Sequence, residues 1–358
     1  MERIILGNTG LSASNIGLGC WPMGGLASNL GMGIGWDNVN KEDGIKAILL
    51  GIKKGVNVFD TADVYGLGES ERILGKAVKL ANSTLNVKRN EIIIISKVGY
   101  FKGCAEHGFD PLHMRHQLEM SLKNLNTDYI DIYFFHHLNF GENNRYLESS
   151  IKQMQQFKRE GLIKFIGLRG PHKFSLDRKQ NKSYDSYDEF YKISELVNPD
   201  IISVRYNMLT SKHEDYHRNI FNWAEERGCG VLTYKPLSHG LLTNKYTIED
   251  VPVFSSEDHR SRKPWFSEQG ISIINSHLTD LGERLNCKCI RDYVHLALKY
   301  SLSCYKSACT LVGFRNESQV EDITSVEGCL KEEELERIRN EFKNVKDELG
   351  EFIKFTGG

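Results

Sequence analysis

Short apolar runs recur along the chain, and each is followed by a stretch whose apolar residues repeat every three to four positions. Parallel strands alternating with crossover helices give this pattern. Eight runs, short and rich in β-branched or aromatic residues, fit buried strands: Ile16–Cys20, Val56–Asp60, Glu91–Lys97, Tyr129–His136, Ile163–Leu168, Ile201–Arg205, Gly230–Tyr234 and Cys309–Gly313. Between the first two, Ile45, Ile48, Leu49 and Ile52 share one face of a helix over Lys41–Lys54. Asn40 is placed to cap it, Asp43 follows three residues on, and Gly55 suits a left-handed residue after its last turn. Similar stripes run through Leu118, Leu122 and Leu125, through Leu147, Ile151, Met154 and Phe157, and through Tyr216, Ile220 and Trp223.

Successive runs end at 60, 97, 136, 168 and 205, a steady unit of 32 to 39 residues. A closed (β/α)₈ barrel of TIM type explains this regularity better than an open sheet. An open dinucleotide-binding sheet would place G-x-G-x-x-G after its first strand, and the text there is Gly19-Cys20-Trp21-Pro22-Met23-Gly24-Gly25. The expected architecture is one domain over residues 1–358, with an N-terminal hairpin at Arg3–Ser14 and extra C-terminal helices, the last near Lys331–Lys346. The polar, irregular stretch Thr243–Gly270 follows the seventh strand and is a candidate lid over the active face. The glycine-rich segment Gly24–Gly35 is expected to form a mobile lip, with Trp21 and Trp36 as aromatic walls.

Charge changes the picture little. Lysine plus arginine number 46 against 47 acidic residues, with no long basic run, so a nucleic-acid partner is not expected. No stretch approaches the roughly eighteen consecutive apolar residues of a membrane span, and no secretory leader is visible. We read the chain as cytoplasmic and without a membrane partner; nothing in the sequence fixes its oligomeric state. The eight cysteines are scattered like reduced thiols, and Cys287 and Cys289 lack the second pair that a zinc site would need, so no metal is expected.

Asp60, Lys97 and His136 end the second, third and fourth strands, where reactive groups gather in barrel enzymes, and Tyr65 follows in the second loop. Each alone has a bland explanation: a helix cap, a solvated strand end, a core histidine or loop packing. Four on adjacent units point instead to a catalytic group.

The same region resembles the aldo-keto reductase family. The resemblance rests on Phe59-Asp60-Thr61-Ala62-Asp63-Val64-Tyr65-Gly66 with Glu69-Ser70-Glu71, on Ile95-Ser96-Lys97-Val98-Gly99, and on Asp131-Ile132-Tyr133-Phe134-Phe135-His136. It continues through Ile166-Gly167-Leu168, Tyr206-Asn207, Tyr234-Lys235-Pro236-Leu237 with Gly240-Leu241-Leu242, and Gly313-Phe314-Arg315 with Gln319. It implies hydride transfer from a reduced nicotinamide to a small-molecule carbonyl, with Tyr65 as general acid and Lys97 favouring its phenolate. Asp60 would hold Lys97, and His136 would orient the carbonyl. His137 and Trp21 complete the expected substrate contacts.

For the cofactor, the resemblance implies that Tyr234 stacks on the nicotinamide and that Lys235, Pro236, Leu237, Gly240 and Leu242 follow the pyrophosphate. Gly313, Phe314, Arg315 and Gln319 would take the adenosine end, where a guanidinium suits a 2′-phosphate and favours NADPH over NADH. Gly19, Cys20 and Trp21 would touch the cofactor from the first loop, with Asp60, Arg169 and Ser203 nearer its reactive end.

Four positions depart from the family pattern. Arg169 stands where serine or asparagine is usual, Ser203 where glutamine is common, Lys235 where serine is, and Ile323 where asparagine is. On one reading Arg169, with His137, His172 and Lys235, makes the mouth basic and recruits an anionic substrate; on the other Arg169 replaces the missing carboxamide contact or pairs with an acidic neighbour, and the histidines are exposed loop residues. Two other functions fit the same fold: a cofactor-binding regulatory subunit, and a sugar enzyme such as an epimerase with no net redox change.

Overall fold

The computed structural model describes residues 1–172, 174, 185–210 and 219–349. Twelve strands occur among them: β1 (Arg3–Ile5), β2 (Ser12–Ser14), β3 (Ile16–Gly19), β4 (Ser28–Asn29), β5 (Met32–Gly33), β6 (Val58–Asp60), β7 (Ile93–Val98), β8 (Ile130–Phe135), β9 (Ile163–Arg169), β10 (Ile201–Arg205), β11 (Gly230–Tyr234) and β12 (Ala308–Gly313). Eight of them, β3 and β6 to β12, close into a parallel barrel in which β12 pairs with β3. These are the eight apolar runs, each within two residues of its expected bounds. Both faces of every barrel strand are covered, so the runs read as continuous apolar stretches.

The helices form the outer ring. They are α1 (Lys41–Lys53), α2 (Glu69–Leu85), α3 (Pro111–Leu125), α4 (Leu147–Arg159), α5 (Ser186–Val197), α6 (Ile220–Glu226), α7 (Glu268–Arg284), α8 (Ile290–Leu302), α9 (Glu317–Thr324) and α10 (Glu332–Leu349). α1 starts where Asn40 accepts from the backbone N–H groups of Glu42 and Asp43, at 2.9 and 3.3 Å, and ends before Gly55, whose φ is +92°. The stripe expected through Tyr216 begins outside the described residues, and α6 carries its second half. No helix among the described residues is long and apolar enough to cross a membrane.

The N-terminal hairpin, β1 paired with β2, closes the lower end of the barrel. Ile4, Leu6 and Ala13 pack into the interior cluster with Val58, Ile95, Ile132, Phe134, Leu232 and Leu311. Gly7 meets Gly228 and Gly230 so closely that a side chain there would overlap their backbone. The upper end, where strands β6 to β11 finish, is left to the loops.

Gly24–Gly35 is built differently from a mobile lip. It contains the small antiparallel hairpin of β4 and β5, and is fastened to the Thr243–Gly270 stretch. Gly35 N donates to Glu257 O at 3.0 Å, His259 N to Gly35 O at 3.1 Å, and Arg262 Nη2 to Gly33 O at 2.6 Å. Asp258, fully buried, accepts from Asp37 N at 2.8 Å and from Arg260 Nε and Nη2 at 2.9 and 2.6 Å. The two segments clasp each other across the barrel mouth.

Candidate functional site

Parallel register brings the chemistry together. Asp60 pairs with Ile95 and Lys97 with Phe134, so Asp60, Lys97 and His136 emerge from adjacent strands at the same end. The Tyr65 loop is pinned from below by Thr61 N donating to Ile95 O at 2.8 Å. It is pinned from the side by Gly24, where a Cβ would lie 2.6 Å from Gly66 N; two glycines let these loops touch backbone to backbone.

Lys97 Nζ lies 2.6 Å from Asp60 Oδ1, 2.6 Å from Thr61 O and 3.3 Å from Tyr65 Oη. An ammonium has three donors, and three acceptors meet it. Burial pushes the Lys97 ammonium below its ordinary pKa, and the Asp60 charge opposes that shift. The Tyr65 phenol is pushed well above its ordinary value, by burial first and the Asp60 charge second, while Arg169 pulls it back. The sequence assigned Lys97 the task of favouring the phenolate; its Nζ lies within hydrogen-bond reach of the Tyr65 hydroxyl, while burial keeps the resting phenol protonated. Burial likewise pushes His136 well below the usual imidazole pKa, with Lys97 and Arg169 adding to the shift, so the ring is neutral.

Aromatic walls surround this group. Trp21 stacks on Tyr65 at 5.6 Å, Tyr65 meets His136 edge-on at 5.8 Å, and Tyr100 meets His136 edge-on at 4.7 Å. Tyr100 Oη and His172 Nε2 lie 3.3 Å apart. Trp36, His239 and His259 extend the wall beyond Trp21.

The cavity above these residues has a volume of about 340 Å³. Its lining includes Asp60, Tyr65, Lys97 and His136 at one end and Arg315, Gln319 and Ile323 at the other. Between them lie Gly19, Trp21, Arg169, Ser203, Tyr234, Lys235, Pro236, Leu237, Gly240, Gly313 and Phe314. Three sequence candidates fall elsewhere. The Cys20 side chain is fully buried in the core between barrel and helices, with burial pushing its thiol pKa up, and only its backbone N bonds to Asp60 O, at 2.8 Å. Leu242 is likewise buried in that core. His137 lies behind the wall, its Nε2 3.1 Å from Gly99 O and its ring against Phe109 and Phe174, so it does not line the cavity.

Residues the sequence did not single out also line the cavity: Lys245, Arg260, Lys263, His239, His259 and Tyr100. Lys245 is pushed down to about 8, by burial first and then by Arg315 and Arg260, which marks a cluster of cations at the far end. Arg315 N donates to Gln319 Oε1 at 2.8 Å, which fixes that corner. Lys235 holds φ +62°, a left-handed conformation costly to a side-chain-bearing residue, and Asn207 Nδ2 bonds its carbonyl at 2.9 Å.

Arg169 adopts an arrangement the sequence did not foretell. It pairs in register with Ser203, which pairs in turn with Leu232, so Tyr234 is two strands away. The guanidinium reaches across the short serine and lies over the Tyr234 ring at 4.0 Å.

A family model described as Aldo/keto reductase family matches residues 15–341. The chain is 27% identical to aldo-keto reductase YhdN of Bacillus subtilis, over 98% of this chain and 96% of that protein. It is 28% identical to L-galactose dehydrogenase of Arabidopsis thaliana, over 90% and 86%. The solved structure of the glycerol dehydrogenase AKR11B4 from Gluconobacter oxydans superposes with a TM-score of 0.71 at 23% identity, covering 96% of this chain and 95% of that one.

Proposed function

Because the chain belongs to the aldo/keto reductase family and is thus an NAD(P)H-dependent oxidoreductase, we propose that it reduces an aldehyde, ketone or keto-sugar to the alcohol, with NADPH as reductant and Tyr65 as proton donor. The observation that carries this reading is the Lys97 ammonium held between Asp60 at 2.6 Å and the Tyr65 hydroxyl at 3.3 Å.

The residues fit such a cofactor. Tyr234 offers a flat aromatic wall, and Lys245 and Arg315 gather positive charge at the far end, suited to phosphates. A nicotinamide on Tyr234 must share that ring with the Arg169 guanidinium or turn it aside. When bound, a reduced nicotinamide supplies hydride to the carbonyl carbon.

The chain's own residues do the rest. His136, neutral, donates a hydrogen bond to the carbonyl oxygen but holds no spare proton to give. Tyr65, kept protonated by burial, releases its proton to that oxygen as it becomes an alkoxide. The phenolate left behind faces Lys97 Nζ at 3.3 Å. Trp21 and Tyr100 exclude water from the exchange.

The test follows NADPH absorbance with a panel of aldehydes and ketones, and NADPH binding by tryptophan quenching. Tyr65→Phe should lower kcat by roughly 10²–10⁴ while NADPH still quenches. An unchanged kcat would mean that another group delivers the proton.

A further inference from the structure

We propose that Arg169 is a substrate-recognition residue, and that the carbonyl compound reduced here carries a carboxylate on, or one carbon from, the carbonyl carbon. This rests on the reductase reading above and narrows it.

The charges around the reacting tyrosine do not balance without such a group. Asp60 and Lys97 neutralise each other at 2.6 Å, and His136 is neutral. Arg169 remains, with no carboxylate within ion-pair distance among the described residues and a buried Nε that has no hydrogen-bond partner among them. Its compensation is Tyr234, whose ring face lies at 4.0 Å and whose side chain it hydrogen-bonds, a neutral partner weaker than a carboxylate. A desolvated guanidinium of this kind is costly unless an anion completes it.

Position sets the chemical class. Phe135 pairs with Leu168, so the next residues, His136 and Arg169, stand side by side at the barrel mouth. Neighbouring strands lie about 4.8 Å apart, so donors on these two side chains can converge on a carbonyl oxygen and a carboxylate on adjacent carbons of one molecule. A carbonyl directed at Tyr65 and His136 therefore offers its adjacent substituent to Arg169. The guanidinium fork matches a carboxylate through two parallel bonds, and the short Ser203 side chain leaves it room to swing.

The test compares phenylglyoxylate with its methyl ester, which share size and aromatic ring and differ in charge. Wild-type enzyme should show kcat/KM for the acid at least about 10-fold above the ester. In Arg169→Met the acid-to-ester ratio should fall by about 100-fold whatever happens to the absolute rates, and Arg169→Lys should restore part of it. A ratio unchanged in the variant would mean that Arg169 serves cofactor or fold alone and would overturn the proposal. So would a wild-type preference for the ester, a result that needs no variant to fold. NADPH quenching without turnover of the acid defeats only the Arg169 assignment, whereas absence of both quenching and turnover defeats the reductase reading beneath it.

Discussion

The Lys97 ammonium nitrogen lies 2.6 Å from Asp60 Oδ1, and both residues are buried, so neither charge has water to fall back on. Removing one partner of such a pair typically costs about 3–5 kcal/mol because the other is left uncompensated. In Asp60→Asn, Lys97 keeps its burial but loses the charge that opposes the resulting downward shift. Its pKa therefore falls further, and the neutral amine appears at lower pH. The alkaline limb of the kcat profile should move to lower pH, with kcat near neutrality down by about 10². An alkaline limb at the wild-type position would show that Lys97 titration does not govern the rate.

At the other end of the cavity, Lys245 is pushed down to about 8, chiefly by burial and then by the Arg315 and Arg260 charges. A bound phosphate would relieve that crowding and raise the Lys245 pKa back toward its ordinary value. Arg315→Ala should weaken NADPH binding by about 10-fold or more while NADH changes little, since the guanidinium fork is matched to the extra phosphate. Equal losses for both nucleotides would place Arg315 against a part they share.

How much of this was legible beforehand follows from what each feature depends on. The barrel strands are buried on both sides, so Ile93–Val98 and Ile130–Phe135 appear as unbroken apolar runs. Asp60, Lys97 and His136 end such runs, and strand pairing alone brings them together. The Arg169 contact with Tyr234 depends on a side chain crossing an intervening strand, which no local pattern records. Cys20 and His137 adjoin cavity residues in sequence, yet backbone geometry turns their side chains into packed regions. The clasp of Gly33–Asp37 on residues 255–262 joins segments more than 200 residues apart through backbone groups and the Asp37, Asp258 and Arg262 side chains, a pairing that no local pattern records.

That clasp is itself testable. Asp258 accepts from Asp37 N at 2.8 Å and pairs through both oxygens with Arg260, which lies 4.4 Å over the Trp36 ring. Asp258→Asn keeps the shape but removes the charge, leaving Arg260 poorly matched in a buried setting. Trypsin should cleave the Arg260–Lys263 stretch faster, and the Kd for NADPH should rise several-fold while the barrel's circular dichroism is unchanged. Cleavage at the wild-type rate would show that the backbone bonds from Gly35 hold the segment without Asp258.

A second titratable fastening ties α7 to α10. His277 Nδ1 lies 2.5 Å from Glu341 Oε1 and its Nε2 lies 2.9 Å from Glu348 Oε1, with the His277 side chain 12% exposed. Burial works against the charged ring, but its hydrogen bonds to both carboxylates outweigh it and hold the His277 pKa above its ordinary value. A folded-state pKa above the unfolded one gives stability that is fully present below the unfolded value, about 6.5, and lost as pH rises through the folded one. Wild type should therefore exceed His277→Gln in Tm by roughly 2 °C near pH 6, and the gap should close as pH rises through the folded-state pKa. A gap independent of pH would mean that the imidazole contributes packing and neutral hydrogen bonds, with no change of charge on folding.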